Sequence, residues 1–296
     1  MSDRDTGIGF TIAGRNARGR LVRLGPVLDA ILANHGYPPL IERVLAEAIL
    51  LAALFGTTLK DSQGQLTIQA QTEGGPIDLM VADYRNGELR GYLRHDPERL
   101  AGIPADPTLL ALFGKGYFAI TFDQAVSGEC YQGIVPLEGH SLGEAAEAYF
   151  TQSEQIPSLV RLAVRREADG RHVAAGMLMQ YLPEGEEGRE RLHTRLDHPE
   201  WEHVHTLAAT VKPEELLDPA LPLDGLLWRL FNEEDEVRVT PTTGFSRGCR
   251  CDVAHIRQVI ARFPQEDRAE MVSADGLIKV DCAFCAKSFG IDPLTA

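Results

Sequence analysis

The sequences Gly248-Cys-Arg-Cys-Asp252 and Asp281-Cys-Ala-Phe-Cys-Ala286 decide how the last part of this chain folds. They place two close cysteine pairs, Cys-x-Cys and Cys-x-x-Cys, 30 residues apart. Four thiolates bind zinc tetrahedrally in structural sites, and Cys-x-x-Cys has the spacing of a zinc knuckle. In an extended chain, residues i and i+2 face the same side, so both sulfurs of the first pair can reach one ion. We therefore predict one zinc ion per chain, held by Cys249, Cys251, Cys282 and Cys285.

The segment around these cysteines, residues 238–296, is about as small as an independently folded unit can be. It has 59 residues, and units of this size have too little core to fold easily without a crosslink. Apolar patterns predict a helix over residues 253–263 and a strand over residues 277–280. Because zinc contributes folding free energy to a small unit outright, we predict a C-terminal zinc-binding domain here.

Basic residues flank both cysteine pairs. Arg247 and Arg250 lie beside the first pair and Lys287 follows the second, and nearby cations favour the reactive thiolate. Oxidation can also join the neighbouring sulfurs of Cys249 and Cys251 directly, in a strained ring. These features favour a redox switch, in which oxidation of the ligands releases the metal and the unit loses structure. A purely structural zinc site, with the basic side chains solvated, is the alternative. A thioredoxin-like dithiol is disfavoured, because no βαβ pattern surrounds the motif.

Residues 1–181 mix strand and helix patterns, which indicates an N-terminal α+β core domain. Alternating or short apolar runs predict strands over residues 67–72, 78–83, 89–93, 117–122, 159–165 and 174–181. Asn86-Gly87 is a hairpin turn signal. Helices are predicted over residues 27–34, 40–55 and 141–153. The second of these is apolar nearly all round beyond Glu47, so we expect it in the core, with a dimer or client surface as the alternative.

Residues 182–237 have a different composition and are predicted to form a helical linker. They contain 15 acidic and 5 basic side chains, a local net charge of −10. Short helices are predicted over residues 184–196, 201–211, 213–217 and 223–231, with prolines between them. Because like charges repel and the apolar content is modest, we predict marginal stability. Protonation of the linker histidines would reduce this repulsion, so we predict no pH switch.

Charge and hydropathy exclude several classes of protein. The formal net charge is −14, whereas nucleic-acid binders carry basic patches, so no nucleic-acid partner is expected. The longest apolar stretch, residues 48–55, has eight residues, and a membrane span needs about 20. The N-terminus lacks the pattern of a secretory signal. We therefore expect a cytoplasmic protein with no membrane contact. No catalytic constellation is present, so we predict that the chain is not an enzyme. Cys130 stands alone and is predicted to be a buried apolar thiol.

Three blocks upstream of the cysteines carry a resemblance to a known family. They are Gly114-Lys-Gly-Tyr-Phe-Ala-Ile-Thr121, Gly133-Ile-Val-Pro-Leu-Glu-Gly139 with the following Tyr149-Phe150 and Ser153-Glu-Gln-Ile-Pro157, and Leu226-Leu-Trp-Arg-Leu-Phe231. Together with the cysteine spacing, they resemble the thirty-three-kilodalton heat-shock family of redox-regulated bacterial holdase chaperones. The resemblance spans nearly the whole chain.

The resemblance implies a stress-response chaperone that works without ATP and is inactive while reduced and zinc-bound. It implies that oxidation forms the disulfides Cys249–Cys251 and Cys282–Cys285, releases zinc and unfolds the linker. The activated protein would then hold unfolding client proteins, as a homodimer. The residues alone are also compatible with two other functions: a constitutive zinc-binding interaction module and a thiol-disulfide oxidoreductase.

Overall fold

The structure is a computed structural model that describes residues 4–59, 64–104, 106–124, 129–182 and 198–293. Most of its strands belong to two antiparallel sheets with helices between and around them. The first sheet has the strand order β10-β1-β2-β9-β8, with β11 also paired to β1. Its strands are β1 (Thr6–Ile12), β2 (Ala17–Leu24), β8 (Ser158–Arg166), β9 (His172–Tyr181), β10 (Val237–Val239) and β11 (Thr243–Gly244). We call it the N-terminal sheet.

The second sheet has the order β12-β5-β4-β3-β6-β7, and only β12 pairs in parallel. We call it the central sheet. Its strands are β3 (Gln65–Gly74), β4 (Ile77–Arg85), β5 (Glu88–His95), β6 (Gly114–Gln124), β7 (Glu129–Pro136) and β12 (Ser246–Arg247). The helices are α1 (Pro26–Leu32), α2 (Pro39–Gly56), α3 (Pro97–Leu100), α4 (Leu109–Phe113), α5 (Leu142–Tyr149), α6 (Pro199–Ala209), α7 (Pro213–Leu217), α8 (Leu223–Phe231), α9 (Val253–Ile260) and α10 (Gln265–Glu270). A separate hairpin joins β13 (Ile278–Asp281) to β14 (Ser288–Ile291).

Helix α2 lies between the two sheets and forms the centre of the core. It begins at a proline, which is favourable in the first turn of a helix. On one side Leu45 and Ile49 pack against Gly91 of the central sheet, and on the other Leu54 packs against Gly176 of the N-terminal sheet. The prediction of a core helix is therefore confirmed, and the helix offers no free dimer or client surface.

The predicted strands of the first part of the chain are all present, within β3, β4, β5, β6, β8 and β9. The hairpin turn is also confirmed: Asn86 and Gly87 have φ of 49° and 80°, the left-handed values that this turn needs. Strands β1 and β2 were not predicted, because their glycines and alternating arginines weaken the apolar pattern. The helix predicted over residues 141–153 ends at Tyr149 and continues as one π-helical turn.

The linker helices cover the outer face of the N-terminal sheet. Trp201 of α6, Leu226 and Phe231 of α8 are buried there against sheet residues that include Phe10 and Met179. Although the apolar content of this segment is modest, α6–α8 each bury apolar side chains on the sheet, and the proline breaks let each helix lie there separately. The marginal stability of the linker stays a prediction. The helix predicted over residues 184–196 lies outside the described residues.

Arg23 of β2 attaches the linker to the N-terminal sheet through hydrogen bonds. Its side chain is buried, and the guanidinium donates to the carbonyl oxygens of Leu216 at 2.7 and 3.0 Å and of Leu221 at 3.1 Å. Leu216 lies in the last turn of α7, where carbonyl groups lack helical partners. The cation therefore satisfies acceptors that burial would otherwise leave unpaired.

Replacing Arg23 with methionine should weaken the attachment of the linker. Charged hydrogen bonds are lost and buried carbonyls lose their partner, which costs about 2–4 kcal/mol. Hydrogen exchange of residues 213–221 should accelerate more than that of β9. The matched control is Arg238→Met, which removes an exposed ion pair with Glu236 and should change little. Unchanged exchange in Arg23→Met would contradict this role.

Replacing Glu47 with glutamine should give a stability difference that depends on pH. Glu47 lies in the apolar helix α2, and burial raises its pKa to about 7. Since this pKa is higher than in the unfolded chain, ionisation costs stability as the pH rises from about 4.5 to 7. Relative to wild type, Glu47→Gln should gain about 1–3 kcal/mol between pH 4 and pH 8, measured by urea unfolding. A constant difference across this range would contradict the burial of the carboxyl group.

Candidate metal centre

The structure brings the four predicted cysteine ligands together. Their sulfur atoms all lie within 4.8 Å of one another, and all are free thiols. The Sγ–Sγ distance is 2.9 Å for Cys249–Cys251, 3.8 Å for Cys249–Cys282 and 3.5 Å for Cys251–Cys285. Among the described residues, these four cysteines form the one group of three or more potential ligands that lie close enough together to hold a metal ion.

Two local structures position the sulfurs. Cys249 and Cys251 follow the short strand β12, and their sulfurs lie next to each other. The second pair lies in the turn between β13 and β14, where the N–H of Cys282 donates to Lys287 O at 2.9 Å and that of Ala286 to Cys282 O at 2.8 Å. Ala286 has a φ of 53°, the left-handed conformation that closes this turn around the sulfurs.

The donor set fits a zinc ion. Zinc–sulfur bonds of about 2.3 Å place the sulfurs of a tetrahedral site about 3.8 Å apart. The 3.8 and 3.5 Å distances between the two pairs match this edge. The 2.9 Å distance within the first pair is shorter, so a bound ion requires Cys249 and Cys251 to separate by roughly 1 Å. Four thiolates are soft ligands, which select zinc or related metals over magnesium and calcium.

The thiols differ in their protonation. Burial raises the pKa of Cys251, and hydrogen bonding with the neighbouring thiols raises it further. Burial also acts on Cys282, but hydrogen bonds from the Cys251 thiol and from the backbone N–H groups of Cys285 and Phe284 lower its pKa to about 7. The knuckle turn therefore favours one thiolate even without a metal, as expected for N–H groups aimed at a sulfur.

A cavity of about 340 Å³ opens beside the sulfurs of Cys249, Cys251 and Cys285. Arg247 and Lys287 line it, so two of the three predicted basic neighbours face the thiols. Arg250 does not line the cavity. Its guanidinium turns away and donates to Gln65 of β3, a residue too distant in sequence for the local pattern to indicate.

Cys130 is not the buried thiol that we predicted. It is exposed on β7, where it pairs with Asp123 of β6. Its place on the outer face of an edge strand explains the error, since a lone cysteine in a sequence does not reveal which face of a strand it occupies. The structure therefore separates it from the cysteine cluster.

The sequence also gave no signal for the surroundings of Phe284, which lies between Cys282 and Cys285. Its ring packs against Tyr92 of β5, with 4.9 Å between ring centroids.

No helix of the described part of the chain combines the length and apolar content that a bilayer span needs.

Comparisons with known proteins agree with this architecture. A protein of Caulobacter vibrioides (strain NA1000 / CB15N) named 33 kDa chaperonin is 40% identical over 302 residues, covering 98% of this chain and 97% of its own. The 33 kDa chaperonin of Yersinia pestis (strain Pestoides F) is 34% identical over 293 residues, covering 99% and 94%.

A crystal structure of the 33 kDa chaperonin (heat shock protein 33 homolog) from Thermotoga maritima has the same fold, with a TM-score of 0.80 and 21% identity over 98% of this chain and 96% of that one. The family model described as Hsp33 protein matches residues 5–292. The chain therefore belongs to the Hsp33 protein family.

Proposed function

We propose that this chain is a redox-regulated, ATP-independent holdase, inactive while its four cysteines are reduced and hold zinc. A chaperone role follows from family membership. The regulation rests on one observation: four thiols converge in a unit that follows directly after linker helices lying on an apolar sheet face.

The thiols of each pair are the groups that an oxidant would act on. When peroxide oxidises two thiolates, they lose two electrons and form one disulfide, while the peroxide is reduced to water or hydroxide. Since the reactive form is the thiolate, the cations Arg247 and Lys287, which line the cavity beside the sulfurs, favour reaction here. The pairs proposed from the family resemblance are Cys249–Cys251 and Cys282–Cys285. Bound zinc supplies folding free energy to this unit, and disulfide formation removes the ligands that hold it.

The linker is attached by polar contacts as well as by its apolar face. Glu234, just after α8, accepts hydrogen bonds from Arg15 at 2.9 Å and from His203 of α6 at 2.7 Å. Burial tends to raise the pKa of Glu234, but these two hydrogen bonds lower it overall, so the carboxylate stays ionised at neutral pH. Loss of the linker would expose the apolar side chains of the N-terminal sheet, among them Phe10 and Met179. An exposed apolar patch of this kind binds unfolded polypeptide.

The proposal includes the division into an N-terminal core domain (1–181), a metastable helical linker (182–237) and a C-terminal redox-switch domain (238–296). Strands β10 and β11, at the start of the last unit, pair with β1, so linker release would have to separate these short pairings too. We further propose unfolding proteins as clients, a homodimer as the activated form and the cytoplasm as the compartment. No enzymatic activity, nucleic-acid partner or membrane contact forms part of the proposal.

Peroxide treatment with gentle heating tests the switch. Reduced protein should contain about one zinc per chain, as expected for four thiolate ligands. Oxidation should release this zinc to a metallochromic indicator, remove four of the five thiols from the thiol count, lower the helical circular dichroism and suppress the aggregation of an unfolding client.

Two variants sharpen the test. Cys285→Ser removes a buried ligand and should lower zinc affinity at least ten-fold. Cys130→Ser is the matched control, because Cys130 is exposed and lies outside the cluster; its zinc content and activation should match wild type. Oxidised protein that kept its zinc and a protease-resistant linker would refute the switch, and equal client protection before and after oxidation would indicate a constitutive chaperone.

A further inference from the structure

The two cysteine pairs enclose side chains that attach the C-terminal unit to the central sheet. Arg250 is the residue between Cys249 and Cys251, and it donates to Gln65 of β3. Phe284 lies inside the second pair and contacts β5. Each attachment point is thus fixed on both sides by a cysteine of the cluster, so its direction depends on how the sulfurs are arranged.

Phe284 is contacted on its ring and on its backbone. The guanidinium carbon of Arg90 lies 3.9 Å from the centre of its ring. Tyr92 meets the same ring edge to face, with an interplanar angle of 83°. The Nε2 atom of His35 lies 3.3 Å from the carbonyl oxygen of Phe284. Cation–π and aromatic contacts of this kind are directional, so they fix the position of the knuckle on the sheet.

Arg90 is itself held in place for this contact. Its Nε donates to Asp83 at 2.7 Å, and Asp83 also accepts from the hydroxyl of Thr67 at 2.7 Å. Asp83 is buried although it lies on the outer face of the sheet. A row of side chains on three neighbouring strands therefore orients the guanidinium under the Phe284 ring.

The C-terminal unit also covers the edge of β5 that faces away from β4. The N–H of Gly248 donates to Leu89 O at 2.9 Å, and that of Ser246 to Gly87 O at 3.0 Å. Gly248 directly precedes the first ligand cysteine. An uncovered edge strand presents unpaired backbone groups and readily pairs with other chains, so these bonds protect the sheet.

Tyr37 covers a further part of this edge, at Leu93. Its hydroxyl donates to Leu93 O at 2.8 Å and accepts from Leu93 N at 3.1 Å. The ring of Tyr37 stacks on that of His35, with 4.8 Å between centroids, and His35 contacts the knuckle at Phe284. The knuckle, the loop before α2 and the edge of β5 thus form one continuous contact.

We propose that Arg250 and Phe284 form a two-point latch through which the cysteine cluster holds the C-terminal unit on the central sheet and covers the edge of β5. Loss of the cluster's geometry frees both points and uncovers that edge. The event that would open the latch, oxidation of the cysteines, rests on the proposed function. The attachment of the C-terminal unit to the sheet can be tested in reduced protein alone.

Hydrogen–deuterium exchange of reduced, zinc-loaded Phe284→Ala tests the latch. Amides of Glu88–His95 should exchange about ten-fold faster than in wild type, because the aromatic and cation–π contacts are lost. Zinc content should stay at the wild-type level, since no ligand is changed. Oxidised wild-type protein should show faster exchange in the same segment.

Phe263→Ala is the matched control, because Phe263 is an exposed aromatic residue of the same unit; its β5 exchange should equal wild type. Tyr92→Leu approaches the contact from the sheet side and leaves the metal unit unaltered. It should also accelerate the exchange, and the double variant should add little to Phe284→Ala, because that substitution already removes the contact with Tyr92.

Wild-type exchange of β5 in both Phe284→Ala and Tyr92→Leu would overturn the latch. Should Phe284→Ala lose zinc, Tyr92→Leu decides: faster exchange with zinc retained supports the latch, and unchanged exchange refutes it. The two proposals can fail independently. If these variants behave as expected but the oxidised protein does not protect clients, the latch is supported and the proposed function is refuted.

Discussion

The convergence of four cysteine sulfurs constrains everything that follows residue 238, because this unit has little else to fold around. Among its described residues, the buried apolar cluster consists of Ile260, Ile278 and Ile291. So small a core offsets only part of the entropy lost on ordering some 59 residues. A metal ion bound by these four sulfurs would join the segment after β12 to the knuckle before β14, and so would crosslink two distant parts of the unit.

This constraint reaches the body of the protein at two separate places. The N-terminal sheet carries the linker helices, fastened by buried Arg23 and by Glu234. The central sheet carries the knuckle, through Phe284 and the short strand β12. Helix α2 lies between the sheets and packs on both, so it would stay in place if either covering layer detached. The surfaces that would be uncovered differ: one is an apolar sheet face and the other a strand edge.

Sequence patterns predicted the local features well and the long-range ones poorly. The cysteine spacing, the core helix over residues 40–55 and the Asn86-Gly87 turn depend on near neighbours, and the structure contains each of them. The contact of Arg250 with Gln65 joins residues 185 positions apart, and no local pattern encodes it. Cys130 was misplaced for a related reason, since its exposure is decided by the pairing of β7 at the sheet edge.

Placing the attachment residues between the metal ligands removes the need for a long pathway from sensor to response. Coupling between distant sites normally requires an intervening element with two discrete arrangements. Here Arg250 and Phe284 lie between the candidate ligands of each pair, so a change in the sulfur positions would move them directly. Loss of the sulfur arrangement would therefore release both attachment points together, because each lies in a segment that two of the sulfurs bracket.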